Sequence, residues 1–312
     1  MKTRSFSRRV FSLAAGITVA ALALTGCAST GSPSPSKTPT PSGSTGSVSD
    51  PALIAMLPST IQQSKVINVA TPYGTSVVSV EADGVTVTGT VPDLAAAMAP
   101  ILDVTFKWTN APFPALIPGL QSGKFDIVWA NLTDNVERQK VITFVDFSQS
   151  LSQLLVLKDN PHHITDVDDS LCGLRAASLT GSVELQNLQE QSTKCTAAGK
   201  KAIDVTSYDS APNVLLALRS GRTDAMFATA SLIVFTLKSG GQSDLFTAVG
   251  KLSNPALLGI GIAKDSGRLA EALQGALKKL VANGTYDKVF KSYGYENLEL
   301  TADQIAINGA KS

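Results

Sequence analysis

Histidine is nearly missing from this chain: His162 and His163, side by side, are the only two in 312 residues. They sit beside Asn160 and Pro161 in a turn-like stretch, which reads as a solvated loop. A metal site would need more ligands nearby, so no metal and no cofactor is expected. Cysteine is almost as scarce, with Cys27, Cys172 and Cys195. A catalytic cysteine is not expected, because no other histidine exists to serve as its base. Charge of either sign is in short supply. Charged residues are 16% of the chain and the net charge is +1, which argues against nucleic acid or another polyanion as partner. Apolar residues reach 44%, enough for a proper core. Beyond the N-terminus no apolar run is long enough to span a bilayer.

The N-terminus is a targeting segment. Lys2, Arg4, Arg8 and Arg9 form a basic region, and Val10–Leu24 is an apolar core too short for a comfortable transmembrane helix. Leu24-Thr25-Gly26-Cys27 resembles the bacterial lipobox, which implies a signal peptide over 1–27, cleavage before Cys27 and a lipid on its sulfur. Ser7-Arg8-Arg9-Val10-Phe11 also resembles a twin-arginine export motif. Ala28–Ser49 holds little besides Ser, Thr, Pro and Gly, so a disordered tether is expected, drawn over 28–60. With Cys27 committed to lipid, Cys172 and Cys195 are left as two thiols of an exported body and are expected to pair as a disulfide.

The body is organised around Ala115–Lys140. A short apolar stretch stops at Gly123, the apolar run Phe125–Ala130 follows, and small polar residues and an arginine close it: Asn131, Thr133, Arg138. This predicts helix, glycine cap, buried strand and a polar loop at the strand's carboxyl end. In open α/β sheets that end is where ligands bind. The unit recurs in Asn213–Ser231, where Leu120/Leu218, Gly123/Gly221, Lys124/Arg222, Asp126/Asp224 and Trp129/Phe227 correspond and Asn131 pairs with Thr229. Two similar lobes, each offering a strand end to a shared cleft, are the expected architecture.

The remaining patterns fit that plan. Lys65–Ala70 alternates as a first strand, and Val77–Thr88 reads as a hairpin around Asp83-Gly84. Pro92 opens a helix, and Val104, Phe106 and Trp108 alternate as a second strand. Gly173–Ser178 and Ala202–Val205 are expected strands, and Ser182 leads into a helix. Small hydroxyl residues and Gly at that helix start leave N–H groups free for an anion, although helix capping explains them equally. Arg268–Ala282 carries a one-sided apolar face that stops at Gly284. Strand alternating with helix means an α/β fold. The expected division is lobe 1 over 61–156 and 258–312 and lobe 2 over 157–257, joined by a two-strand hinge.

This pattern resembles the extracytoplasmic solute-binding proteins of ABC importers, in particular the polar amino-acid-binding family. The likeness covers Lys65–Tyr295 and is strongest in Leu116–Asp126, Glu137-Arg138 and Gly259–Gly294. It implies two α/β lobes that close on a ligand, and a set of roles. Phe113 would pack on the ligand side chain, Asn131 and Thr133 would hydrogen-bond its α-carboxylate, and Arg138 would grip that carboxylate with its planar fork. Gly181 and Ser182 would add donors from lobe 2, and Thr229 would face the ammonium. The family normally has an aspartate at Thr229 and often an acid at Pro72. An ammonium buried without an anion costs on the order of several kcal/mol. Either Asp134, Glu184 or Asp209 supplies the charge, or the ligand lacks a free α-ammonium.

The expected function is therefore capture of an amino acid or related small carboxylate for uptake, without chemistry on it. Its partners would be the small molecule, a membrane ABC permease and the lipid on Cys27; the protein is expected outside the cell membrane's outer face, as a monomer. The alternatives are a cyclohexadienyl dehydratase-like enzyme on the same scaffold, which would need a positioned acid, and a lipid-anchored sensor.

Overall fold

The computed structural model describes residues 49–311 apart from 82, 85 and 239. The export signal, the lipobox with Cys27 and most of the tether lie outside the described residues.

The fold begins earlier than the tether boundary allows. Helices α1 (Pro51–Ile54) and α2 (Ser59–Ser64) occupy the stretch that the composition assigned to the tether's end. Asp50 starts α1 by accepting from the N–H groups of Ala52 and Leu53. Leu53, Leu57 and Ile61 then recur every four residues and are buried in the main core. A single apolar stripe in a Ser/Pro-rich context is enough to order this segment.

Lobe 1 continues with β1 (Val66–Thr71), a small hairpin β2 (Ser79–Val80) and β3 (Val87–Thr88), α3 (Thr90–Leu102), β4 (Thr105–Asn110), α4 (Leu116–Gln121) and β5 (Ile127–Val128). A single turn, α5 (Val136–Gln139), precedes the long strand β6 (Ile142–Leu157), which crosses into lobe 2. There the chain forms β7 (Arg175–Leu179), α6 (Val183–Ala197), β8 (Asp204–Tyr208), α7 (Ala211–Arg219), β9 (Ala225–Thr229), α8 (Ala230–Lys238) and α9 (Gln242–Leu245). The long strand β10 (Phe246–Ala263) crosses back, and α10 (Leu269–Ala282) and α11 (Thr285–Tyr293) complete lobe 1.

The eight principal strands form one sheet in the order β4-β1-β5-β10-β6-β9-β7-β8. β4, β1 and β5 run parallel, as do β8, β7 and β9. β10 is antiparallel to β5, β6 is antiparallel to β9, and β10 and β6 pair antiparallel with each other along the middle. Each half is therefore three parallel strands closed by one antiparallel crossing strand, the arrangement the repeat predicts. Apolar clusters lie on both faces of each half, as parallel strands require. Trp129 anchors the first half, edge-on to Phe106 and Phe147 with ring centres 6.2 and 5.7 Å away. Phe227 is buried at the equivalent place in the second half. The disulfide between Cys172 and Cys195 joins the approach to β7 to helix α6.

The last residues are tied down in a way the sequence does not announce. Asp146 donates its N–H to the Ala306 carbonyl, Ile307 bridges Val145, and the Gly309 N–H donates to Asp146 Oδ2 at 3.0 Å. The Ala310 N–H donates to Asp134 Oδ2 at 3.1 Å. Asp146 and Asp134 are thus buried together beneath the tail, at 0% and 2% exposure, and Asp146 Oδ1 has no donor among the described residues. Burial, with the Asp134 carboxylate next to it, pushes the Asp146 carboxyl up to about 8, so Asp146 carries a proton at neutral pH.

Candidate functional site

The two repeated units build matching ledges. In lobe 1, Gly123 turns the chain out of α4 at φ 70°, and Asp126 accepts from the N–H and Nδ2 of Asn68 on β1, at 2.7 and 2.8 Å. In lobe 2, Gly221 does the same after α7 at φ 68°, and Asp224 accepts from the N–H and guanidinium of Arg175 on β7. Each aspartate fixes its strand against the neighbour, so β5 and β9 deliver Asn131 and Thr229 to facing positions. His162 Nε2 lies 3.3 Å from Asp224, so that histidine braces lobe 2.

Between the strand ends lies a cleft. Lobe 1 contributes Pro72, Tyr73, Thr75, Phe113, Ala130 and Asn131. Across from them stand Ser178, Ser182, Glu184, Asp209, Phe227 and Thr229. The enclosed space is about 50 Å³ open to the centres of water molecules, room for a few waters. Hydrogen bonds hold the lobes together at its rim. Ser76 Oγ donates to Ser231 Oγ at 3.1 Å, and Ser231 Oγ donates on to Thr229 Oγ1 at 3.4 Å. Ser231 is the repeat counterpart of Thr133, so the internal repeat already contained the signal for it; Ser76 had none beyond its place in a polar loop.

Four of the seven expected site residues line this cleft: Phe113, Asn131, Ser182 and Thr229. Arg138, Thr133 and Gly181 form its clasp. Asn135 caps the turn that carries Arg138. Arg138 Nη1 donates to the Thr133 carbonyl at 2.8 Å, and Nη2 reaches across to the Gly181 carbonyl at 2.7 Å. The guanidinium lies 6.0 Å from the centre of the Phe113 ring. Its pKa is lowered by burial, which Glu184 and Asp134 oppose.

The family of bacterial extracellular solute-binding proteins, family 3, matches residues 66–296. The chain belongs to that family. It is 29% identical over 262 residues to the arginine-binding protein ArgT of Corynebacterium glutamicum, covering 83% of each chain. It is 30% identical over 207 residues to the lysine/arginine/ornithine-binding periplasmic protein of Escherichia coli, covering 64% of this chain and 76% of that one. Among solved structures it resembles an ancestral arginine-binding protein bound to glutamine, with 29% identity, a TM-score of 0.65, and 74% of this chain and 99% of that one covered. It also resembles the ancestral amino acid-binding protein AncCDT-1, a precursor of cyclohexadienyl dehydratase, at 26% identity and a TM-score of 0.66, covering 75% of this chain and 97% of that one.

In this solute-binding protein the polar groups differ in two ways from the roles that the resemblance implied. The Asn131 amide donates to Ser76 Oγ at 3.0 Å, and its Oδ1 is buried without a partner among the described residues. It therefore offers an acceptor to the cleft, beside the one amide N–H that Ser76 does not take. Ser182 Oγ caps helix α6 by accepting from the Leu185 N–H at 3.1 Å and lies 3.0 Å from Ser178 Oγ, which accounts for the hydroxyl at that helix start. Of the three acids considered for the missing charge, Asp134 is held under the C-terminal tail, away from the cleft. Glu184 and Asp209 line it. Glu184 is 7% exposed and is fixed by Ser152 Oγ, which donates to Oε1 at 2.8 Å. No basic residue lines the cleft itself, so its lobe 2 wall is electronegative while Arg138 stands at the edge.

Proposed function

We propose that the protein captures an amino acid, or a related small carboxylate, between its lobes and presents it to an ABC permease. The observation that carries this reading is the polarity of the closed cleft. A guanidinium stands at one edge, while Glu184 and the unpartnered Asn131 Oδ1 wait inside. A zwitterion satisfies both, its carboxylate on Arg138 and its ammonium towards Glu184. Phe113, Asn131, Thr133, Arg138, Gly181, Ser182 and Thr229 are the proposed binding residues, with Glu184 added as the anion that Thr229 does not provide. The arginine-binding and lysine/arginine/ornithine-binding names of the relatives support an amino acid as the ligand class.

The working cycle is hinge closure about the strands Ile142–Leu157 and Phe246–Ala263, between lobe 1 (61–156 and 258–312) and lobe 2 (157–257). The protein acts as a monomer, tethered by a lipid on Cys27 to the outer face of the cell membrane after cleavage before that residue. No helix among the described residues is long and apolar enough to cross a membrane. Binding without chemistry is the favoured reading. The likeness to the dehydratase precursor, together with the buried Glu184, keeps the enzyme reading as the second one.

A thermal-shift series across free amino acids, their N-acetyl forms and the matching 2-keto acids tests the proposal, since a ligand of the folded state raises the melting temperature. Free amino acids should stabilise, and the other two sets should not. Equal stabilisation by N-acetyl or keto forms would remove the ammonium from the reading. Turnover of a cyclohexadienyl amino acid would favour the enzyme.

A further inference from the structure

Behind the lobe 2 wall of the cleft lies a second, larger chamber of about 190 Å³, between helices α7 and α8. Ala211, Met226 and Leu232 line both spaces, so the partition is one layer of side chains thick. Met226 is the movable part of that layer, being unbranched and free to change rotamer without shifting backbone. Pro212, Leu215 and Phe235 form other walls, and Gly74 borders the chamber from lobe 1. Two polar side chains reach it. Thr236 is satisfied, its hydroxyl donating to the Leu232 carbonyl at 2.8 Å. Gln242 is not: its Oε1 is buried without a partner among the described residues. A buried acceptor of this kind is costly unless a donor arrives.

We propose that this chamber receives the far end of the ligand, and that the end it selects is an apolar spacer tipped with a neutral N–H donor, such as a carboxamide or ureido group. The geometry gives each part a reason. The apolar walls favour a methylene spacer, since each CH₂ moved out of water into them is stabilising. Gln242 supplies the acceptor for the tip. No charged residue lines the chamber, so a cationic tip would be buried there without an anion. The inference rests on the amino-acid reading for the ligand's near end, but the chamber itself can be tested apart from it.

The test uses n-butylurea, a fragment with the spacer and the donor but neither carboxylate nor ammonium, titrated into protein labelled with ¹³C at the methionine methyls. The Met226 signal should shift saturably, while those of Met56 and Met98 stay in place. Leu215→Trp, which fills the chamber from the side away from the cleft, should abolish the shift. Gln242→Leu leaves the fold less disturbed and should weaken binding about tenfold. L-Citrulline and L-alanine are then compared by calorimetry. Citrulline should bind at least tenfold more tightly, and both variants should erase that advantage while leaving alanine unchanged. No butylurea shift, or a citrulline advantage that survives both substitutions, overturns the chamber. Butylurea binding with no amino acid bound upholds the chamber and removes the amino-acid reading; alanine binding without butylurea does the reverse.

Discussion

Asp126 and Asp224 hold the same place in the two lobes, each at the turn between a helix and a strand that ends at the cleft. Their partners differ. Asp126 is held by the neutral amide and N–H of Asn68, whereas Asp224 is held by the Arg175 guanidinium, with His162 beside it. Beyond the strands the lobes diverge further. Lobe 1 follows β5 with a loop and a capped turn that swing Arg138 to the rim, while β9 of lobe 2 runs straight into α8. Lobe 2 takes its polar contribution from another place, the first turn of α6, where Ser182 and Glu184 sit. The frame is duplicated and the chemistry is not. Ligand recognition is written in the segments that leave the frame.

Four experiments break or sharpen that comparison. The largest effect should come from Arg138→Ala, which removes the arm that lobe 2 lacks. Ligand affinity should fall at least a hundredfold, about 3 kcal/mol, with the melting temperature of ligand-free protein nearly unchanged. Calorimetry and a thermal melt read the two quantities, and wild-type affinity in the variant would mean the arm does not hold the ligand. Next is Cys195→Ala, which removes a staple found in lobe 2. With the bridged residues 23 apart, chemical denaturation should show a loss of about 3 kcal/mol. No loss would show that α6 is held by packing alone.

The third and fourth concern carboxylates with opposite pH signatures. Asp146, in lobe 1, has a folded pKa of about 8, above its ordinary value, with Asp134 and Lys311 the charged groups facing it. Its stabilising protonation is complete below the unfolded pKa near 4 and is lost as pH rises through 8, at up to about 1.4 kcal/mol per pH unit. Melting temperature should therefore fall between about pH 4 and 8, through this group, and level off above that. Asp146→Asn, whose amide can take the place of the protonated carboxyl, should flatten that slope; an unchanged slope would mean that Asp146 is not the group responsible. Asp224 behaves the other way. Burial raises its pKa, and the Arg175 hydrogen bonds and charge more than offset this, holding it below the ordinary range. Its contribution is present at neutral pH and lost as pH falls through the lowered value. Asp224→Asn should remove about 1 kcal/mol at pH 7 and soften the acid limb of the stability curve. An acid limb identical to wild type would refute this.

Much of this was legible in the chain. The helix–glycine–strand unit and its repeat are local signals, so the ledges, the paired aspartates and the α/β plan could be read directly, and the disulfide followed from two leftover thiols. What could not be read depended on distant partners. The ordering of Leu53 and Ile61 requires the core they pack into. The tail's attachment depends on two carboxylates more than 150 positions earlier in the chain, at Asp134 and Asp146. Asn131 was identified as a cleft residue, but which end of its amide faces inward is set by Ser76. Glu184, Asp209 and Asp134 are all candidates by sequence for the missing charge, and only the fold separates them, placing the first two on the cleft and the third beneath the tail.

The Arg138–Gly181 hydrogen bond has a kinetic consequence. In the shut form the group that would seize a carboxylate is already occupied by a carbonyl of the opposite lobe, in a space sized for a few waters. Capture from this form must then wait for the lobes to part. The observed association rate should rise with ligand concentration and level off at the opening rate, a plateau that stopped-flow fluorescence can resolve. A weak internal bond thereby becomes a timer on uptake, and loosening it would quicken capture before it altered what is captured.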